Sequence, residues 1–142
     1  MEIKLSELSK ETISTLLKKN DIKFEVEGDG DFKIDNEERL FVRLDKDKQS
    51  LRMYGWVTFD EGVLNKDDRA LYIVNFLNLG SNTVRYAVLK GDDLFFEYGV
   101  PLFGDISEAF LVSLLNHVKT VANNLKGVYR LTFDKLKELG YK

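Results

Sequence analysis

The helix that decides the fold reads DDRALYIVNFLNL and spans residues 67–79. At about 100° per residue its apolar side chains cover well over half of the helix circumference, whereas a surface helix needs an apolar stripe of roughly 100°. Asn65 is predicted to cap this helix, because Asp67 and Asp68 then lie in the first turn, where the helix dipole favours negative charge. We therefore expect the helix to be covered on two sides, by a sheet and by a second partner.

The segments on both sides of this helix alternate apolar and polar residues, a pattern that is typical of half-buried strands. Short polar or glycine-containing turns separate most of them, which favours antiparallel pairing. The predicted strands span residues 22–26, 32–34, 39–45, 50–59, 84–90 and 94–102. Four strands thus precede the apolar helix and two follow it.

Helices are also predicted near both ends of the chain. The first spans residues 9–20, and either Ser9 or Ser6 can cap it. The last spans roughly residues 107–126 and is opened by a capping box, Asp105-Ile-Ser-Glu108. Both helices carry one apolar face, as expected for helices that pack against a sheet.

A short helical tail of residues 127–142 is expected to follow Gly127 and to pack back weakly. Its apolar residues are Phe133, Leu136 and Leu139. With the helices gathered on one face of antiparallel strands, we predict an α+β fold, a two-layer sandwich with the order α-β-β-β-β-α-β-β-α. The length fits a single domain, residues 1–142.

The composition is that of an ordinary globular protein with a mild acidic balance. Hydrophobic residues make up 44% of the chain and aromatic residues 12%, which argues against intrinsic disorder. A formal charge of −3 argues against nucleic-acid binding, because nucleic-acid binders usually carry a basic footprint. The chain has no cysteine, no visible signal segment and no apolar run of membrane-spanning length. We expect a cytoplasmic location without membrane association.

The sequence contains none of the motifs that would indicate catalysis or a bound cofactor. His117 is the only histidine, so without cysteine or a G-x-S-x-G motif neither a zinc site nor a catalytic triad can be assembled. Residues 27–38 nearly match a calcium loop, yet Phe32 stands where that loop needs glycine. Carboxylates such as Glu97 and Asp105 have nothing that fixes them near each other. We therefore predict that the protein is not an enzyme and binds no metal or cofactor.

Residues 75–108 carry a recognisable pattern. It comprises the helix end NFLNLGSN, the strand RYAVL, the acidic turn GDD, the strand end Val100-Pro101 and the helix start Ile106-Ser107-Glu108. In this pattern and in its order of elements the chain resembles the YbjN family, whose fold is like that of type III secretion chaperones. The resemblance covers roughly residues 7–126. It implies a non-enzymatic protein that acts through protein contacts, often as a dimer, and it implies no catalytic residues.

The second face of the predicted sheet is one candidate contact surface. If Val42 and Met53 face the helices, the residues of opposite parity lie on the exposed face. Those residues, with two from the later hairpin, are Phe41, Arg43, Arg52, Tyr54, Trp56, Arg85 and Phe95. Aromatic residues interleaved with arginine are typical of interface hot spots, but such rings also cover one another as cross-strand pairs. Both interpretations stay open with equal weight, and base stacking on nucleic acid is a minor third.

The outer arc of the apolar helix is the other candidate surface. Tyr72, Phe76 and Leu79 lie opposite the side that the sheet and the long helix cover, and a symmetric partner is the simplest second cover. The alternative is that the C-terminal tail of the same chain covers these residues. We predict a chaperone-like or regulatory protein that binds a protein partner as a homodimer. The alternative is a small-ligand-binding module that uses a cavity between the sheet and the long helix.

Overall fold

The computed structural model describes residues 2–60, 69–81, 83–88 and 92–140. The predicted cap Asn65, the first-turn residues Asp67 and Asp68, and the turn residue Gly91 lie outside the described residues. The elements in chain order are β1 (Glu2–Lys4), α1 (Lys10–Lys19), β2 (Phe24–Val26), β3 (Phe32–Ile34), β4 (Phe41–Asp45), β5 (Ser50–Thr58), α2 (Arg69–Gly80), β6 (Arg85–Val88), β7 (Asp93–Pro101), β8 (Asp105–Ser107) and α3 (Glu108–Glu138).

Six of the strands form one antiparallel sheet in the order β2-β3-β4-β5-β7-β6. The long strand β5 lies in the middle and pairs with β7 from Ser50 opposite Pro101 to Thr58 opposite Asp93. Pro101 therefore ends its strand, where its missing N–H removes no interior ladder bond. The antiparallel sheet with helices against it confirms the predicted α+β fold.

One apolar core lies between this sheet and the helices. Val42, Met53 and Phe96 of the sheet are buried in it together with Ile73 of α2 and Val118 of α3. These sheet residues have the parity that was expected to face the helices, so the predicted register is confirmed. The residues of opposite parity form a second face of the sheet, directed away from the core.

The first helix has the cap and the buried face that its sequence predicts. Ser9 is the N-cap of α1, and its Oγ accepts a hydrogen bond from the Thr12 N–H at 3.2 Å. Ile13, Leu16 and Leu17 are buried on one side of the helix. This spacing of three and four residues is the stripe that anchors a helix on a core.

The start of α3 differs from the prediction. Its N-cap is Ser107, whose Oγ accepts a hydrogen bond from the Phe110 N–H at 3.1 Å, and not a box that begins at Asp105. Asp105 instead begins β8, which pairs with β1 in a separate two-stranded sheet. Ile3 lies opposite Ile106 there and is buried. The sequence does not reveal this small sheet, because three-residue strands are too short to show an alternating pattern.

The separate tail after Gly127 is also a wrong prediction, since α3 continues unbroken to Glu138. A glycine inside a helix costs about 1 kcal/mol relative to alanine. Tyr129 and Leu136 are buried beyond it, and full burial of one such side chain contributes roughly 1.5–3 kcal/mol. Packing therefore outweighs the glycine, and the segment is the end of α3. Of the three apolar residues expected to pack back, only Leu139, the C-cap residue, is exposed.

Candidate functional site

Four aromatic rings stack side by side on the second face of the sheet, across three strands. Phe41 of β4 stacks on Tyr54 and on Trp56 of β5, with the ring centroids 5.4 Å apart in both pairs. Tyr54 also lies 6.2 Å from Phe95 of β7. The register produces this arrangement, because Phe41 is paired with Tyr54 and Trp56 with Phe95. These four residues are called the aromatic row below.

Three arginines lie against the aromatic row. The guanidinium carbon of Arg39 is 5.5 Å from the Trp56 ring centroid, while Arg43 and Arg52 lie 5.3 and 5.8 Å from the Tyr54 centroid. These distances lie within the range of cation–π attraction. The sheet therefore brings Arg43 and Arg52, which the sequence placed on this face, against the rings. Arg39 was not among the predicted residues, and Arg85 contacts Glu97 instead.

The expected exposure of this face is wrong at two positions. Phe41 is 9% exposed although it lies outside the apolar core, because its ring is covered by its cross-strand neighbours. The Arg52 side chain is only 16% exposed, whereas the Arg85 side chain is 76% exposed. Cross-strand packing is thus present on this face. Whether the aromatic row also binds a partner stays a prediction.

A buried carboxylate fixes the early hairpin to this face. Asp31 follows the turn between β2 and β3 and is 5% exposed. Arg43 Nε lies 3.0 and 2.9 Å from Asp31 Oδ1 and Oδ2, Arg43 Nη2 lies 2.8 Å from Oδ2, and the Tyr54 hydroxyl donates to Oδ2. Asp31 was not predicted as a site residue, because an acidic residue in a Gly-Asp-Gly-Asp turn is typical of a solvated loop. The signal that could have revealed Asp31 was that Arg43 and Tyr54, both able to donate to a carboxylate, lie on the same face of the paired strands β4 and β5.

The ionisation of this cluster follows from its contacts. Burial raises the pKa of Asp31, but the hydrogen bonds from Arg43 and Tyr54 and the charge of Arg43 more than offset it, so the pKa lies below its ordinary value. Burial and the hydrogen bond to Asp31 raise the pKa of the Tyr54 hydroxyl. Asp31 is therefore a carboxylate held by a guanidinium and a neutral phenol, which is a structural ion pair.

The same contacts explain the near match to a calcium loop. Asp29 Oδ1 accepts a hydrogen bond from the Asp31 N–H at 3.0 Å, and Asp29 Oδ2 lies 3.5 Å from Arg43 Nη2. A protein cation, Arg43, thus sits beside both carboxylates. Among the described ranges there is no group of three or more His, Asp or Glu side chains arranged to hold a metal ion.

A second ion-pair network lies at the other end of the same face. Glu97 of β7 accepts hydrogen bonds from Arg52 through Oε2 and from Arg85 through Oε1, the latter at 2.9 Å. Arg52 Nη1 also lies 3.6 Å from Asp45. Burial raises the pKa of Glu97, but the two arginines more than offset it and the pKa is lowered. This end of the sheet face is therefore polar, in contrast to the aromatic row.

Helix α2 has one buried and one exposed apolar side. Its inner side, which includes Ile73 and Leu77, is buried. Its outer side remains 43–82% exposed and is called the α2 outer face below; the residues are Leu71, Tyr72, Phe76 and Leu79. Although α3 extends to Glu138, these four side chains remain exposed in the isolated chain, so cover by the C-terminal segment or by a partner stays a prediction.

Two contacts locate α2 beside α3. Just after α2, Thr83 Oγ1 lies 2.9 Å from His117 Nε2. Before it, the Phe59 ring centroid lies 5.0 Å from that of Tyr129. Helices α2 and α3 also contact each other directly. The two helices therefore lie side by side, and His117 is an exposed boundary residue, as expected.

The clefts formed by described residues lie mainly on the strands. Three of them have volumes of about 570, 450 and 390 Å³. None of these three lies between the sheet and the apolar side of α3, so the cavity of the ligand-binding alternative stays a prediction. Within the described residues, no helix combines the length and the hydropathy needed to cross a membrane.

Comparison with known proteins places this architecture in a family. Residues 9–125 match the family model of YbjN, described as "Putative bacterial sensory transduction regulator". YbjN from E. coli, described as "a putative transcription regulator", superposes with a TM-score of 0.64 and 9% identity over 94% of both chains. The type III secretion chaperone SycH of Yersinia pestis, solved with a stable fragment of YscM2, gives a TM-score of 0.57 and 18% identity over 82% of this chain and 98% of SycH.

No curated protein sequence matches the chain. The two solved structures share less than a fifth of their residues with it, so they show a common fold alone. The family model, in contrast, matches most of the chain. The chain belongs to the YbjN family.

Proposed function

We propose that this protein is a non-enzymatic, chaperone-like or regulatory protein that binds a protein partner and acts as a homodimer. The observation that carries the proposal is the α2 outer face, on which four large apolar side chains remain 43–82% exposed. Contiguous apolar surface of this kind marks protein contact sites more often than chance exposure does. A C₂ dimer lets such a patch meet its own copy.

The size of the patch predicts how far the dimer interface extends. Four partly exposed apolar side chains supply on the order of 400 Å², whereas a stable interface buries about 800 Å² on each partner. The remainder must come from neighbouring surface. Helix α3 lies beside α2 and carries exposed Phe110, Val128 and Leu131. We propose that the interface includes part of this α3 surface.

The aromatic row is the proposed contact for a different protein. Trp56 and Tyr54 are half-buried, and interface hot spots are enriched in tryptophan, tyrosine and arginine. The family description as a regulator and the complex of SycH with a fragment of YscM2 support protein binding as the kind of activity. The proposal requires no catalytic residue and no cofactor, and it assigns the activity to the cytoplasm, as the sequence led us to expect.

Light scattering coupled to gel filtration tests the dimer. The wild-type chain should elute with about twice the chain mass of 16.4 kDa. Leu79→Glu should elute with the monomer mass, because it places a charge on an 82% exposed residue of the α2 outer face. Val26→Glu is the matched control: Val26 is also exposed and apolar but lies on β2. A wild-type monomer at high micromolar concentration would contradict the proposed dimer.

Affinity capture from the native cell tests the aromatic row. A partner retained by the wild-type chain should be lost with Trp56→Ala and kept with Val26→Glu. Circular dichroism of Trp56→Ala must show a folded chain for the loss to count. Retention of the same partner by folded Trp56→Ala would remove the aromatic row from the proposal.

A further inference from the structure

Strand β7 extends four residues past the start of β6. Arg85, the first residue of β6, is paired with Glu97, and β7 then continues to Pro101 while paired only with β5. An open cleft of about 570 Å³ lies at this place. It is called the β7 end cleft, and Lys48, Arg52, Arg85, Glu97 and Gly99 are among the residues that line it.

The backbone of β7 faces this cleft at Gly99. The Leu102 N–H donates to the Gln49 carbonyl at 2.9 Å, so the even-numbered residues here direct their backbone groups toward β5. By alternation, the N–H and C=O of Gly99 point the other way, into the space where β6 would continue. Within the described ranges no residue bonds these groups on that side. Because Gly99 lacks a side chain, another backbone can approach closely there.

The nearby edge of β6 is already used. Asn78 at the end of α2 donates through Nδ2 to the Tyr86 carbonyl at 3.0 Å and accepts the Tyr86 N–H through Oδ1 at 2.8 Å. A side-chain amide thus occupies the outer edge of β6 as a neighbouring strand would. The end of β7 has no such cover among the described residues and is the better place for a strand to add.

The side chains around the cleft carry surplus positive charge. Arg52 is committed to Glu97 and Asp45. Arg85 is 76% exposed, and its ion-pair partner among the described residues is Glu97, through Oε1. Within the described part of the chain, the Lys48 amine has no ion-pair partner. Two exposed cations next to a strand edge attract a carboxylate at the adjoining strand position.

We propose that the β7 end cleft binds an extended peptide segment with acidic side chains, which adds to β7 as a short strand and places a carboxylate against Arg85 and Lys48. Four residues of β7 correspond to about 13 Å of strand, enough for a peptide of four to five residues. A nucleic acid is disfavoured because two cations on a chain of net charge −3 provide little phosphate neutralisation. This inference rests on the proposed protein-binding function, and it specifies one chemical property of the partner.

Fluorescence anisotropy with synthetic probes tests the proposal. The probe is a fluorescein-labelled octapeptide of alternating threonine and glutamate, measured against the full-length protein at low salt. We expect saturable binding that is at least about tenfold tighter than for the alternating threonine–lysine octapeptide. Arg85→Glu should weaken binding about tenfold. Arg130→Glu is the matched control, because Arg130 is exposed on α3 and the change in net charge is identical, and it should leave binding within about threefold.

Two further probes separate strand addition from general attraction of anions. The same octapeptide with alternate backbone nitrogens methylated keeps its charge but loses strand donors, so we expect it to bind weakly. Equal binding of the methylated probe would overturn strand addition. Tighter, Arg85-dependent binding of a fluorescein-labelled thymidine dodecanucleotide would overturn the choice of a peptide partner.

The peptide assay also distinguishes this inference from the proposed dimer. A wild-type chain that is dimeric by light scattering but binds none of the acidic probe would overturn the β7 end cleft alone. A monomeric chain that binds the probe through Arg85 would support the cleft and overturn only the dimer. Arg85 is exposed, so loss of folding does not confound its variant; identical circular dichroism melting curves for Arg85→Glu and the wild type confirm this.

Discussion

The aromatic row and the α2 outer face are built from similar residues but differ in exposure. Phe41 in the row is 9% exposed, whereas Leu79 on α2 is 82% exposed. In the sheet, each ring has a cross-strand neighbour whose centroid lies 5.4–6.2 Å away and helps to cover it. The side chains of the α2 outer face project toward solvent and are more exposed. Similar apolar residues therefore yield a largely self-covered surface on the sheet and a more exposed one on the helix.

The difference in exposure indicates which of the two surfaces requires a partner. The aromatic row has already removed much of its apolar area from water, so a further protein there would gain less from each ring. The side chains of the α2 outer face remain 43–82% exposed in the isolated chain, so a partner there would remove more apolar area from water. We therefore keep the proposed dimer contact on α2 and propose that the arginine-flanked aromatic row gives specificity for a partner.

The largest effect should come from removing the most covered ring. Phe41→Ala should lower the free energy of unfolding by about 3 kcal/mol, because it leaves a cavity between Tyr54 and Trp56. Its urea midpoint should fall at every protein concentration. Leu79→Ala should mainly reduce the concentration dependence of the midpoint, because it weakens dimerisation and not the fold. If both variants lost the same stability at every protein concentration, the proposed difference between the aromatic row and the α2 outer face would be contradicted.

The buried carboxylate should give the next largest effect. Asp31→Asn should lower the free energy of unfolding by about 2 kcal/mol, because Arg43 loses its buried ionic partner and keeps, among the described residues, only the exposed Asp29. Asp29→Asn is the control, since Asp29 is 58% exposed and the expected change is under about 0.5 kcal/mol. Urea titrations at neutral pH measure both. Similar values for the two variants would show that Asp31 does not hold the hairpin to the aromatic row.

The stabilisation by Asp31 should depend on pH in a defined direction. The pKa of Asp31 is lowered in the folded state, so its contribution is fully present above the unfolded-state pKa of about 3.9 and is lost as the pH falls through the folded-state pKa. The difference in unfolding free energy between the wild type and Asp31→Asn should be constant from about pH 7 to 5 and shrink below about pH 4. A difference that grows on acidification would contradict the assignment.

The smallest effect should come from the arginine at the edge of the row. Arg39→Ala should lower the free energy of unfolding by about 0.5 kcal/mol, because an exposed cation–π contact with Trp56 is worth roughly that amount. Arg130→Ala provides the control on α3. Tryptophan fluorescence, which reports on the only tryptophan, should shift in Arg39→Ala and not in the control. An unchanged spectrum would mean that Arg39 does not contact the ring in solution.

The regular parts of the fold could be predicted from local sequence. Alternation in β5 established which residues face the core, and Ser9 with the Ile13, Leu16 and Leu17 stripe established α1. The α3 extension could not, because Gly127 is a usual helix stop and only the burial of Tyr129 and Leu136 overrides it. A local sequence pattern shows the periodicity of a helix or a strand, but it does not show the tertiary packing that extends a helix.

The four rings of the aromatic row could be predicted from the sequence, but their contacts, Arg39 and the buried Asp31 could not. Parity grouped Phe41, Tyr54 and Trp56 on one face, but their mutual covering depends on register between strands. Asp31 was missed because its partners, Arg43 and Tyr54, lie 12 and 23 residues away. The β7 end cleft exists because β7 continues past the first residue of β6. The sequence of neither strand alone indicates this offset.

The most direct test of the central claim is a distance between spin labels in the dimer. The chain has no cysteine, so Gly80→Cys places a single label at the exposed end of α2, and Val26→Cys places one on β2 as the control. If α2 pairs with its copy, helices about 8–10 Å apart bring the Gly80→Cys labels much closer together than the Val26→Cys labels. A shorter separation between the labels at position 26, or no dipolar coupling at either position, would contradict the account.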